Sequence, residues 1–167
     1  MNFRGKTFHK IDIRITKWMA SKGLTLLRWS IGIIFLWFGA LKFFDGLSPA
    51  QDLAIRTIGT LTFGLVPENI IIYGLATWEV LIGLGLLFNI FIRETLLLLY
   101  LQMIGTFLPV FFFPSEVFKI FPYSLTLEGQ YIFKNLVVIS SGIVLGATVR
   151  GGELKVEKDH ANEKYVE

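Results

Sequence analysis

Four long apolar runs dominate the pattern along the chain, at about 24–44, 70–91, 95–113 and 127–149. Each comes close to the roughly 20 residues that a helix rising about 1.5 Å per residue needs to cross a bilayer. The polar positions inside these runs are few, and they are ordered. Arg28, Gly32, Phe35, Gly39 and Lys42 follow steps of 4, 3, 4 and 3, which stacks them on one helical face while Ile, Leu, Phe and Trp fill the others. That is a helix with a greasy outer side and an inner side of glycine and charge. The pattern predicts an all-α fold, an integral membrane four-helix bundle.

Between the runs the pattern changes. Residues 1–23 are basic and polar, with Phe8, Ile11, Ile15, Trp18 and Met19 at helical spacing. This predicts an amphipathic helix lying on the membrane surface, although the alternation of Ile11, Ile13 and Ile15 also fits a strand and a plain basic tail is the simpler alternative. No small-x-small site closes the following apolar run, so a cleaved signal peptide is not expected. In the first outer loop, Ser48-Pro49-Ala50-Gln51-Asp52 reads as a helix start. The stretch Leu53–Val66 then reads as a short interfacial or re-entrant helix, broken by Arg56, Gly59 and Gly64. Arg93-Glu94 marks a tight turn, Pro109 is placed to bend the third span, and Thr126 can cap the fourth after an aromatic loop at 114–126. The chain thus divides into a basic segment 1–23, a membrane domain 24–149 and a charged tail 150–167.

Composition narrows the class. Of 167 residues 53% are hydrophobic and 17% charged, and the mean hydropathy of +0.61 is concentrated in blocks that one small soluble core could not hide. The net charge of +3 arises mainly in the tails, which favours an anionic lipid surface as partner and leaves no basic domain for nucleic acid. Six basic residues precede the first span, and Arg93 and Arg150 fall on the same side in a four-span topology. Both termini are therefore expected in the cytoplasm, with the protein multi-pass in the inner (plasma) membrane. With no cysteine, thiol chemistry is excluded. His9 and His160 both lie in the tails, no metal-ligand spacing occurs, and neither a phosphate loop nor a serine elbow is present. No residue is assigned a catalytic role, and catalysis by this chain alone is not expected.

The chemistry must come from polar groups within the spans, where an ionised side chain is costly unless it faces inward and finds a partner. Glu79 lies roughly 14 Å into its helix and Lys134 about 10 Å into its own at 1.5 Å per residue, so the two are at levels where they can meet. Lys42 is close enough to join them or to reach Asp45 or Glu128. Gln102, Thr106 and Ser141 supply uncharged polar groups at similar depth, and Trp78 beside Glu79 can form a stacking wall. Two readings stay open: a pocket for a small polar ligand or quinone-type head group, and a buried ion pair that only fixes helix register. Arg28, near the cytoplasmic boundary, is expected to reach lipid phosphate. The span glycines Gly32, Gly39, Gly74, Gly83, Gly85, Gly142 and Gly146 are expected to be close-packing sites.

The segments Gly23–Arg28, Trp37–Phe43, Trp78–Leu84, Leu108-Pro109 and Glu128–Leu136 together resemble the DoxX-like membrane proteins, nearest the YkgB type linked to reactive chlorine resistance. The resemblance covers roughly residues 23–150, although the first outer loop is shorter than in that type. It implies a four-helix inner-membrane protein. Some such proteins are small subunits or partners of membrane redox systems, among them a thiosulfate:quinone oxidoreductase. The resemblance points to Arg28, Lys42, Glu79 and Lys134. Two function classes follow. One is an accessory subunit or ligand-binding partner of a membrane redox or oxidative-stress system, with a quinone as the cofactor it admits and a redox protein or a second copy as partner. The other is a small transporter or permeation pathway for a polar solute.

Overall fold

The structure, a computed structural model, describes residues 3–44, 46–48 and 51–152, with side chains left out at 3–8 and 10. Asp45, the Pro49-Ala50 part of the expected helix start and the charged tail from 153 onward lie outside the described residues. Helix α1 runs from Phe3 to Leu41, α2 from Gln51 to Leu61, α3 from Glu68 to Phe88 and α4 from Ile92 to Phe107. Single turns α5 (Pro109–Phe112) and α6 (Pro114–Val117) lead into a hairpin of β1 (Phe118–Ile120) and β2 (Ser124–Leu125), followed by α7 (Leu127–Ala147). Four stretches are long and apolar enough to span a membrane: Ile11–Leu41, Glu68–Phe88, Ile92–Phe112 and Leu127–Ala147. Their mean hydropathies are 1.7, 2.0, 1.9 and 1.3. The fold is an all-α membrane bundle, as the apolar runs predict, and a lipid bilayer is its surroundings.

Two expectations change in detail. The amino-terminal amphipathic segment and the first span are one uninterrupted helix of 39 residues, not a surface helix followed by a separate span. A side chain at Gly23 would meet nothing within 4 Å, and no proline interrupts the register there. At about 1.5 Å per residue α1 is nearly twice as long as the roughly 30 Å hydrocarbon core, so its basic end continues beyond the bundle. The aromatic loop 114–126 is also more ordered than expected, because Val117 and Phe118 are buried and β1 pairs antiparallel with β2.

The connections show why the helices stop where they do. Helix α2 ends before Phe63 and Gly64, whose φ angles of 53° and 72° belong to the left-handed region. Its 11 residues are far too few to cross a bilayer, which fits an interfacial element. It packs on α3 and α5 across one end of the bundle, where Arg56 forms a two-pronged ion pair with Glu116 of α6. At the other end Asn89, with φ 57°, closes α3 by donating its N–H to Gly85 O, and α4 begins at Ile92. Pro109 has no N–H to continue the ladder, so α4 breaks and α5 restarts. Thr126 caps α7: its hydroxyl oxygen accepts from Gly129 N at 3.0 Å and its O–H donates to Glu116 O at 2.5 Å.

Helix α3 is central, packing on α1 along one side and α4 on the other, with α7 closing the ring. One apolar cluster, including Phe35, Ile82, Leu86, Leu99 and Met103, fills the end nearest the α3–α4 turn. A second, Leu53, Val117, Phe118 and Ile132, lies under α2 and the hairpin. A cavity lies between them, drawing Phe35 and Met103 from the first and Leu53 and Ile132 from the second.

Candidate functional site

The site begins with the fit of α1 against α3. A Cβ on Gly39 would come within 2.8 Å of Glu79 Cβ and 2.9 Å of Val80 N, and one on Gly83 within 2.5 Å of Leu36 N. Only the missing side chains let the backbones approach this closely. One turn beyond Gly39, Lys42 leans onto Glu79, with Nζ 2.6 Å from Oε2 and also within 3.5 Å of Phe38 O. From the opposite side Gln102 Nε2 donates to Glu79 Oε1 at 2.9 Å. Both carboxylate oxygens are therefore engaged, and the Lys42 and Glu79 side chains are each only 12% exposed. Such a pair tolerates burial because the attraction and the extra hydrogen bond offset the lost hydration.

This cluster borders a cavity of about 530 Å³. Trp78 and Thr106 border it too. The Trp78 indole N–H donates to Leu98 O at 3.1 Å, which fixes the ring against α4, and the Thr106 hydroxyl donates to Gln102 O at 2.9 Å. The remaining wall is largely apolar, with Ile, Leu and Phe side chains from α1, α2 and α3. Helix α7 adds Glu128, Tyr131 and Asn135. Reading the spans by charge and depth misses Tyr131 and Asn135 as wall residues; the signal was their spacing of three and seven residues from Glu128, which keeps all three on one helical face. Chemically the arrangement presents a cation, a carboxylate and a carboxamide to a small space walled by hydrocarbon. It can hold a polar head group that both accepts and donates hydrogen bonds.

A family model described as DoxX matches residues 23–125, more than half of the chain. The chain belongs to the DoxX family. No curated protein matches it, and no solved structure does. The matched segment of this DoxX chain contains Lys42, Trp78, Glu79, Gln102 and Thr106 and stops before the α7 wall.

Three expected site residues of the DoxX chain lie elsewhere. Lys134 does not meet Glu79: it is exposed on α7, with its ammonium 5.5 Å from the Tyr131 ring centroid. Depth along the helix was suitable, but direction was not. Asn135 faces the cavity, and the preceding residue is turned about 100° away at 3.6 residues per turn. Ser141 is buried, yet its hydroxyl donates to Val137 O of its own helix at 2.7 Å and it does not border the cavity. Arg28, expected at lipid phosphate, donates to Leu86 O at 2.7 Å instead. There it serves one of the last carbonyls of α3, which lack intrahelical partners and carry the negative end of the helix dipole. Among the described residues no group of three His, Cys, Asp or Glu side chains could hold a metal ion.

Gly74 departs from its expected role as well. Whereas Gly32, Gly39, Gly83, Gly85 and Gly142 press against neighbours, a Cβ on Gly74 would meet nothing within 4 Å.

Proposed function

We propose that this DoxX protein is a membrane-embedded binding subunit that holds the head group of a small lipid-soluble molecule of the quinone type and serves as accessory partner to a membrane redox or oxidative-stress system. One observation carries the reading: a buried Lys42–Glu79–Gln102 cluster, joined by an ion pair and a hydrogen bond, at the wall of a largely apolar cavity of about 530 Å³. A quinone carbonyl accepts from a lysine ammonium or a carboxamide, and a quinol hydroxyl donates to a carboxylate, so both redox forms find partners here. The volume falls within the range of roughly 300–1,000 Å³ typical of small-molecule sites. The resemblance to the YkgB type supports the link to oxidant stress.

In this reading the protein sits in the inner (plasma) membrane with both termini in the cytoplasm, as the basic residues before the first span, at Arg93 and at Arg150 favour. The cluster then belongs to the outer half of the bilayer. Because the chain has no cysteine, single cysteines at positions 22 and 119 can be labelled with a membrane-impermeant maleimide in intact cells; labelling at 119 and not at 22 is expected.

The binding role is tested by purifying the protein in lipid nanodiscs and extracting what remains bound. An isoprenoid quinone recovered with the parent and absent from Gln102→Leu supports it. An empty protein that carries a polar solute across liposome membranes favours a permeation pathway instead.

A further inference from the structure

On the α4 side of α3 the two helices part as they leave their connecting turn. Near the turn they touch: a Cβ on Gly85 would collide with the Thr95 hydroxyl. Further along, contact passes to side chains, with Trp78 bonded to Leu98 O and Glu79 to Gln102. Carrying the same antiparallel register onward brings Gly74 to within about a turn of the level of Gly105. At these two positions the helices carry no side chain. Both glycines are exposed, both border the cavity, and a Cβ on either would meet nothing within 4 Å. Ile70 and Leu101, 58% and 47% exposed, flank this gap and also line the cavity, with half-buried Trp78 along its lower edge.

Depth decides what the gap opens onto. Gly74 lies about 9 Å from the start of α3, and Gly105 about 10 Å from the far end of its span at Phe112, counted at 1.5 Å per residue. Both positions fall inside a hydrocarbon layer whose half-thickness is about 15 Å. Water is scarce at that level, and acyl chains are the solvent. A polar cluster reached through an apolar, glycine-edged gap at this depth suits a molecule that arrives dissolved in the bilayer.

We propose that the space between α3 and α4 at Gly74 and Gly105 is a side entrance from the bilayer, and that the site's ligand is a tailed amphiphile whose flat head passes between the glycines to Lys42, Glu79 and Gln102 while its tail remains among the lipids. The proposal rests on the binding role given above and adds the ligand class and its route. The two glycines thus act by absence: any larger side chain narrows the gap without disturbing a packed seam.

The test uses Trp78 as reporter. Trp18, Trp29 and Trp37, all exposed, are replaced by phenylalanine, and the protein is held in nanodiscs. A benzoquinone bearing a decyl tail, which quenches tryptophan fluorescence, is added, with tail-less benzoquinone as comparison. Saturable quenching of Trp78 by the tailed probe is expected, with Gly105→Phe and, separately, Gly74→Leu making its onset roughly ten times slower, since a blocked route acts on the association rate. Tail-less benzoquinone, able to come from water, should be slowed much less. Melting curves confirm that each variant is folded, and the second position stands in if the first fails. Parent-like onset in both folded glycine variants, with quenching abolished by Gln102→Leu, overturns the entrance and leaves the site standing. Equal slowing of the two probes also overturns it, because the ligand class and route would then be independent of the tail. No saturable quenching in the parent overturns the binding role and the entrance together.

Discussion

Helix α3 meets α1 and α4 through glycines on both sides, and away from the α3–α4 turn, where Gly85 presses on Thr95, the two seams are opposite in construction. Toward α1, Gly39 and Gly83 allow backbone to lie against backbone, and the closeness delivers Lys42 to Glu79. Toward α4, Gly74 and Gly105 sit at open space, and the helices are linked there by the hydrogen bonds of Trp78 and Gln102 instead of by packing. The same residue type serves cohesion in one seam and leaves a gap in the other. What distinguishes them is the neighbour each glycine faces, so substitution at these positions should have effects of opposite sign.

The largest effect is expected in the closed seam. Gly83→Leu would drive a side chain into the Leu36 backbone, and because backbone must move, its cost should exceed the about 1–3 kcal/mol usual for overpacking. Loss of folded protein in detergent, read by gel filtration, is the expected result. Next comes the pair that the closed seam positions. Glu79→Gln leaves Lys42 buried without its counter-charge and should cost about 3–5 kcal/mol, measured by denaturation in mixed micelles. Glu68→Gln, at the exposed start of α3, is the comparison and should change little. In the open seam the sign reverses. Gly105→Ala adds a methyl to empty space in a helical stretch and should stabilise by up to about 1 kcal/mol, whereas Gly39→Ala should destabilise. Smallest is Lys134→Met, which removes an exposed charge and should stay within about 0.5 kcal/mol of the parent.

Much of the architecture was readable from period alone. The four apolar runs, the Arg28–Lys42 stripe, the cap at Thr126 and the break at Pro109 each follow from local spacing or local backbone chemistry. The partner of Glu79 was not. Counting residues gives height along a helix, and Lys42 and Lys134 both have suitable heights; direction around the axis decides between them. The stripe held the answer, since Lys42 shares a face with Gly39 while Lys134 is one residue off the face marked by Glu128, Tyr131 and Asn135. Arg28 finds its partner on another helix, and a carbonyl of another helix cannot be seen in a sequence. Strands of three and two residues carry too little pattern to reveal the β1–β2 hairpin. Nor does a glycine announce whether its neighbour is backbone or empty space, which is why Gly74 and Gly83 looked alike.

Reversing charges across the closed seam asks whether Lys42 and Glu79 form a single inward-facing pair. Glu79→Lys alone should abolish recovery of folded protein, because two cations would then share one buried position. Adding Lys42→Glu should restore a monodisperse, cooperatively melting protein, and adding Lys134→Glu in its place should not. Rescue by the change at 134 and none by the change at 42 would make Lys134, not Lys42, the partner of Glu79.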